Sequence, residues 1–146
     1  MAYRILSLDG GGTWAMLEVM ALMKVYSPTT TGHQILGDFD MVAANSGGAF
    51  VLGALHENWT LQKAFDFFFD QPTRKQVFKS RGFSWISPIQ GLLGLGYKYD
   101  TREKLKALQR FFPQFGTRPM STIGGSFNGS ARRTDFLVVG FNYDTV

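Results

Sequence analysis

The residues of this 146-residue chain with the clearest chemical potential are Ser46, in Ala44-Asn45-Ser46-Gly47-Gly48, and the run Asp9-Gly10-Gly11-Gly12. A serine hydroxyl is a weak nucleophile at neutral pH. It becomes useful when it is exposed, given a base, and faced by donors that hold the oxyanion it creates. Small residues two before and two after a serine let the backbones pass in a sharp strand-to-helix turn, and Ala44 and Gly48 fill those positions. A helix starting at Gly47 would aim its N-terminal dipole and the Gly47 N–H at developing negative charge. The three glycines leave backbone N–H groups uncovered by side chains, which is what an oxyanion hole requires. Each motif also has a plain reading: Ser46 as a helix N-cap, and the tri-glycine segment as a turn that serves only the fold.

The flanking segments decide where these groups would stand. Tyr3–Leu8 is a short apolar run entering the glycine turn, read as a buried strand. Trp14–Tyr26, rich in Met, Leu, Ala, Glu and Lys, reads as a helix that ends before Ser27-Pro28. Phe39–Ala44 reads as a second strand and Gly47–Glu57 as a buried helix behind Ser46. Thr60 caps a predicted helix through Asp70 whose Leu61, Phe65, Phe68 and Phe69 share one face, with Phe67 off it. Asp100 and Glu103 form the capping-box pattern of a helix through Phe112. Phe78–Tyr99 lacks periodicity and reads as irregular. After a Gly/Ser/Asn loop at Gly124–Ser130, Asp135–Asn142 is the third strand, with Phe136–Phe141 at its centre. Strands alternating with helices imply a parallel sheet, in which ligands bind beyond the carboxyl ends of the strands. Both glycine turns fall at that end.

Composition narrows the classes. The 45% apolar content and the length fit one domain with a core. No run of about 18 apolar residues occurs, so a spanning helix is not expected, and the N-terminus reads as a strand and not a signal peptide. A cytoplasmic protein is the expectation. The chain has no cysteine and only two histidines, His33 and His56, both read as surface or capping residues. The +4 net charge is scattered, which points away from nucleic acid and fits peripheral contact with an anionic membrane surface. No residue cluster suggests a metal or cofactor. Trp85, Leu92, Leu93 and Leu95 are candidates for either core or an acyl-chain groove.

Two rival readings use the glycine loop. Gly10-Gly11-Gly12-Thr13-Trp14-Ala15 satisfies a dinucleotide fingerprint, with Asp38 or Asp40 as the ribose acid, and Asp9–Thr13 also matches the phosphate loop of sugar kinases, where it joins two strands of a hairpin. A nucleotide or sugar-phosphate binding protein using Gly10–Thr13 is therefore the alternative. Neither rival accounts for Ala44–Gly48.

Ser7-Leu8-Asp9-Gly10-Gly11-Gly12 and Phe39–Ala49, in order and spacing, resemble the two signature blocks of patatin-like phospholipases. The similarity continues to Asn142-Tyr143-Asp144-Thr145 and so covers nearly the whole chain. The resemblance implies an α/β class fold, a three-layer α/β/α sandwich on a mainly parallel sheet, and hydrolysis of lipid esters by a Ser-Asp dyad through an acyl-enzyme. It implies Ser46 as nucleophile and Gly10, Gly11 and Gly12, joined by the Gly47 N–H, as the oxyanion hole. Three positions depart from the family pattern. Trp14-Ala15 stand where a basic residue and a glycine are usual, Ala44 replaces the first elbow glycine, and the Asp-Gly motif that carries the dyad aspartate is absent after Ser46. A catalytically dead lipid-binding domain is the reading these departures would favour. Residues 1–146 are accordingly expected to be the N-terminal part of one hydrolase domain, inactive alone and completed by a C-terminal segment or second chain. Asp135, Asp144 and the histidines are the bases to suspect otherwise.

Overall fold

A computed structural model describes residues 2–73 and 101–140, without the side chains of 101–104 and 107. The segment read as irregular, the Asp100–Glu103 capping box and Asp144 fall outside what is described.

Four strands form one sheet: β1 (Ile5–Leu8), β2 (Met41–Asn45), β3 (Gly125–Ser126) and β4 (Arg133–Val139), in the order β1-β2-β4-β3. The first three neighbours are parallel, with Leu8 opposite Ala44 and Ala44 opposite Val138, and β3 runs antiparallel to β4. The chain is thus of the α/β class with a mainly parallel sheet, as expected. The strand cores match the apolar runs, but β1 starts at Ile5, β2 reaches Asn45, and β4 begins at Arg133.

Side chains alternate across each strand. Leu6, Leu8, Val42, Ala44, Phe136 and Val138 face the core, whereas Ile5, Ser7, Leu137 and Val139 are exposed. Among the described residues, the helices α1 (Met16–Val25), α2 (Gly32–Leu36), α3 (Gly47–His56) and α4 (Leu61–Phe69) serve one core on one face of the sheet. The third layer of a sandwich is not found among them.

Helix α3 is apolar all round and eight of its ten residues are buried, so it sits at the centre of the core. Thr60 Oγ1 accepts from the Lys63 N–H at the start of α4, the cap read from the sequence. The buried side of α4 needs correction: Phe67 is 6% exposed and Phe69 is 64% exposed. Phe67 lies against Trp59 and, from the end of α5 (Thr101–Phe111) onward, Phe111 and Phe112. These rings give α4 a second apolar neighbour that a single-stripe reading omits. A short α6 (Met120–Ile123) precedes β3.

At the amino ends of the strands a polar knot replaces apolar packing. Asp40 accepts from the Arg4 N–H at 2.7 Å and from Arg132 Nη1, and the Arg4 N–H bond followed by the Arg132 contact holds its carboxyl below the ordinary range. The single hydroxyl proton of Thr134, fully buried on β4, is shared between the carbonyls of Leu36 and Phe39 at 2.8 and 2.9 Å.

Candidate active site

Ser46 lies between the last residue of β2 and the first of α3, with φ 50° and ψ −118°. That is outside the left-handed helical well and sterically poor for any residue with a Cβ, so the turn is strained. Ser46 is exposed, does not cap α3 with its side chain, and has no side-chain hydrogen bond among the described residues. The plain N-cap reading therefore lacks its defining bond, while the exposed, strained turn has the form of a nucleophile elbow.

The glycine loop is packed directly against this turn. Gly10, at φ 88°, has no room for a Cβ: one would overlap the Asn45 carbonyl oxygen and stand 2.9 Å from the Gly47 nitrogen. Gly48 is equally confined, because a Cβ there would overlap the Leu8 carbonyl group. Gly47 in turn abuts Gly12 and Ala15. The two motifs, 36 residues apart, thus meet backbone to backbone at the carboxyl ends of adjacent strands. Ala44, which stands where a glycine is usual, is only 3% exposed and fits the core between Leu8 and Val138.

The donors expected of an oxyanion hole separate into two groups. The Gly10 N–H donates to Glu18 Oε1 at 2.6 Å, so Gly10 shapes the loop and its own N–H is taken. No acceptor for the Gly11, Gly12 or Gly47 N–H is found among the described residues. Gly11 and Gly12 continue the positive-φ conformation at 106° and 64°, followed by a single 3-10 turn (Gly12–Ala15) and α1. That helix removes the strand-loop-strand hairpin of the sugar-kinase reading. Asp38, which accepts from Tyr26 Oη at 2.9 Å, and Asp40 both sit before β2, at the opposite end of the sheet from the loop, so neither serves the dinucleotide reading. Burial, followed by the Asp38 bond, pushes the Tyr26 hydroxyl up to about 12.

Glu18 was not anticipated. It sits in the first turn of α1, and helical side chains lean toward their own N-terminus, which brings its carboxyl under the loop. Burial pushes its pKa up against the pull of the Gly10 N–H, and the Asp9 charge adds to the rise. An acid in the first turn after a glycine loop is the signal that would have found it.

The suspected bases are placed elsewhere. Asp135 pairs with Arg133 and lies opposite Met41, four residues before Asn45, roughly 13 Å along the strand at the usual rise. His56 ends α3, about 14 Å along the helix from Gly47. It is not a surface residue: it is 5% exposed, ringed by Phe115, Phe127 and Phe136, and burial lowers its pKa. His33 Nε2 donates to the His56 carbonyl at 2.9 Å. Among the described residues there is no group of three or more His, Asp or Glu suited to a metal.

The sequence model of the family described as patatin-like phospholipase matches residues 6–145. The chain belongs to this family. It is also similar to Protein teg of Priestia megaterium, with 28% identity over 115 residues, covering 77% of this chain and 31% of that protein. The chain thus spans about a third of the length of the curated relative it matches. No solved structure matches it. Family membership supports lipid acyl hydrolysis at the level of the family, and among the described residues no helix is long and apolar enough to cross a membrane.

Proposed function

We propose that this chain carries the nucleophile and oxyanion hole of a serine acyl hydrolase that cleaves carboxylic ester bonds of lipids. The observation that carries the reading is Ser46 itself, exposed and held at φ 50° and ψ −118° with the glycine loop packed against its turn. Ser46 Oγ attacks the ester carbonyl, and the oxyanion accepts from the Gly11, Gly12 and Gly47 N–H groups at the positive end of α3. The alcohol leaves, and water then hydrolyses the acyl-enzyme by the same route. The proton of Ser46 passes to an aspartate, the second member of the family's dyad, which hands it to the departing alkoxide; in the second half the aspartate takes a proton from the attacking water and returns it to Ser46 Oγ. No described His or Asp is bonded to Ser46, and the sequence after Ser46 holds no Asp-Gly of the kind that carries the family's dyad aspartate, so we propose that the base comes from a complementing C-terminal segment or a second chain. That polypeptide would also cover the open sheet face at Ile5, Leu137 and Val139. Trp14, 69% exposed beside the loop, and Leu17 offer apolar surface toward a lipid aggregate.

The test is labelling of the complete polypeptide with a fluorophosphonate probe. Ser46 should be modified and Ser46→Ala should remove both the label and the turnover of short-chain p-nitrophenyl esters. Labelling that persists in Ser46→Ala would reject Ser46 as the nucleophile. In the 146-residue chain alone, Ser46-dependent turnover should be absent, since a serine without its base loses orders of magnitude in rate.

A further inference from the structure

Glu18 holds a carboxyl group under the glycine loop in a setting that does not favour it. Its Oε2 is buried and has no hydrogen-bond partner among the described residues, and the Asp9 charge nearby opposes ionisation more than the Asp9 backbone N–H favours it. What the carboxyl does have is the Gly10 N–H, at 2.6 Å across eight residues of sequence. Without that acceptor the Gly10 N–H would be left part-buried and unpaired, which is unfavourable wherever water is excluded. The loop it anchors has three successive positive-φ residues, and nothing else among the described residues accepts from their N–H groups.

We propose that Glu18 is a positioning residue: its side-chain oxygen fixes Gly10 and thereby keeps the Gly11 and Gly12 N–H groups turned outward as an oxyanion hole. This rests on the functional reading above for its catalytic consequence, but not for the contact itself. The task falls to an acceptor oxygen and not to a charge. Glutamine, which retains that oxygen, should substitute for Glu18, and alanine should not. Removing the anchor lets the two donors drift, and misplacement of a catalytic group by about 1 Å costs on the order of a hundredfold in rate.

The experiment compares wild type, Glu18→Gln and Glu18→Ala in two assays. Amide exchange of the Gly10–Gly12 segment, followed by NMR or mass spectrometry, reads the contact without reference to activity. Exchange at Gly10 should rise by about tenfold or more in Glu18→Ala and stay near wild type in Glu18→Gln. Ser46-dependent ester hydrolysis by the complete polypeptide should lose about 10- to 100-fold in kcat with KM little changed in Glu18→Ala, and be restored in Glu18→Gln. Unchanged Gly10 exchange in Glu18→Ala would overturn the proposal, as would equal losses of kcat and Tm in both variants. If no form shows Ser46-dependent turnover, the functional reading fails, and the exchange assay still upholds or overturns the anchor.

Discussion

The strain at Ser46 has a measurable sign. Ser46→Ala keeps a Cβ in a backbone conformation that only glycine adopts at ease, while Ser46→Gly removes it. Strain of this kind costs about 1–3 kcal/mol. Glycine's greater freedom in the unfolded chain offsets about 0.5–1 kcal/mol of the relief. Ser46→Gly should therefore be more stable than Ser46→Ala by about 1 kcal/mol, or about 3–4 °C in Tm for a chain of this size. Both variants lack the hydroxyl, so the comparison isolates the backbone from the chemistry. Thermal and urea unfolding of the two side by side provide the assay, with equal urea m-values showing that the unfolded states are comparable. At an unstrained position the order reverses, and glycine falls about 0.5–1 kcal/mol below alanine. Ser46→Gly at or below Ser46→Ala would refute the elbow geometry.

Three further outcomes follow from packing and burial. Gly48→Ala places a Cβ onto the Leu8 carbonyl, and because the obstacle is strand backbone it should cost about 3 kcal/mol or more, seen as a large fall in the urea midpoint. Thr134→Val keeps the shape but leaves the Leu36 and Phe39 carbonyls without their shared donor, a loss of about 1–3 kcal/mol by the same measurement. His56 has a lowered pKa in the folded chain, so the unfolded chain takes up the proton first: stability should fall as pH drops below the unfolded value of about 6.5 and level off below the folded one. In His56→Leu that part of the acid-side decline, read from urea midpoints at pH 5 to 7.5, should be missing.

The strand-turn-helix frame and the positions of Ser46 and Gly10–Gly12 were legible because each is written locally. An apolar run meets a glycine turn, and the turn meets a helix-forming segment. What escaped was set by partners distant in sequence. Strand β3 has two residues and exists through its pairing with Arg133 and Thr134. Helix α2 spans five residues, too few for a period, although the Thr31 N–H donating to Gln34 Oε1 shows that a capping pattern was there to be seen. Phe67 and Phe69 exchange their expected burial because Trp59 and Phe112 pack against α4 from a direction its own sequence does not record. His56 is interior for the same reason, its aromatic neighbours coming from residues 115 to 136. At the site, Glu18 carried the local mark of an acid in a first helical turn, but its contact with Gly10 depends on the loop folding back over α1.

The pairing of β2 with β4 also sets an order of events during synthesis. Everything from β1 to α4 lies within the first 69 residues, whereas Asp135 must reach Met41 across about ninety. On a ribosome adding about 5–20 residues per second, the inner edge of β2 waits roughly 5–20 s for its partner. Throughout that interval Ser46 and the glycine loop could already be in contact, because both belong to the early segment, while a strand edge beside them stays unpaired and open to other chains. The nascent chain is therefore most exposed to mispairing at the strand that leads into Ser46, and the arrival of Thr134 at the Leu36 and Phe39 carbonyls closes that window.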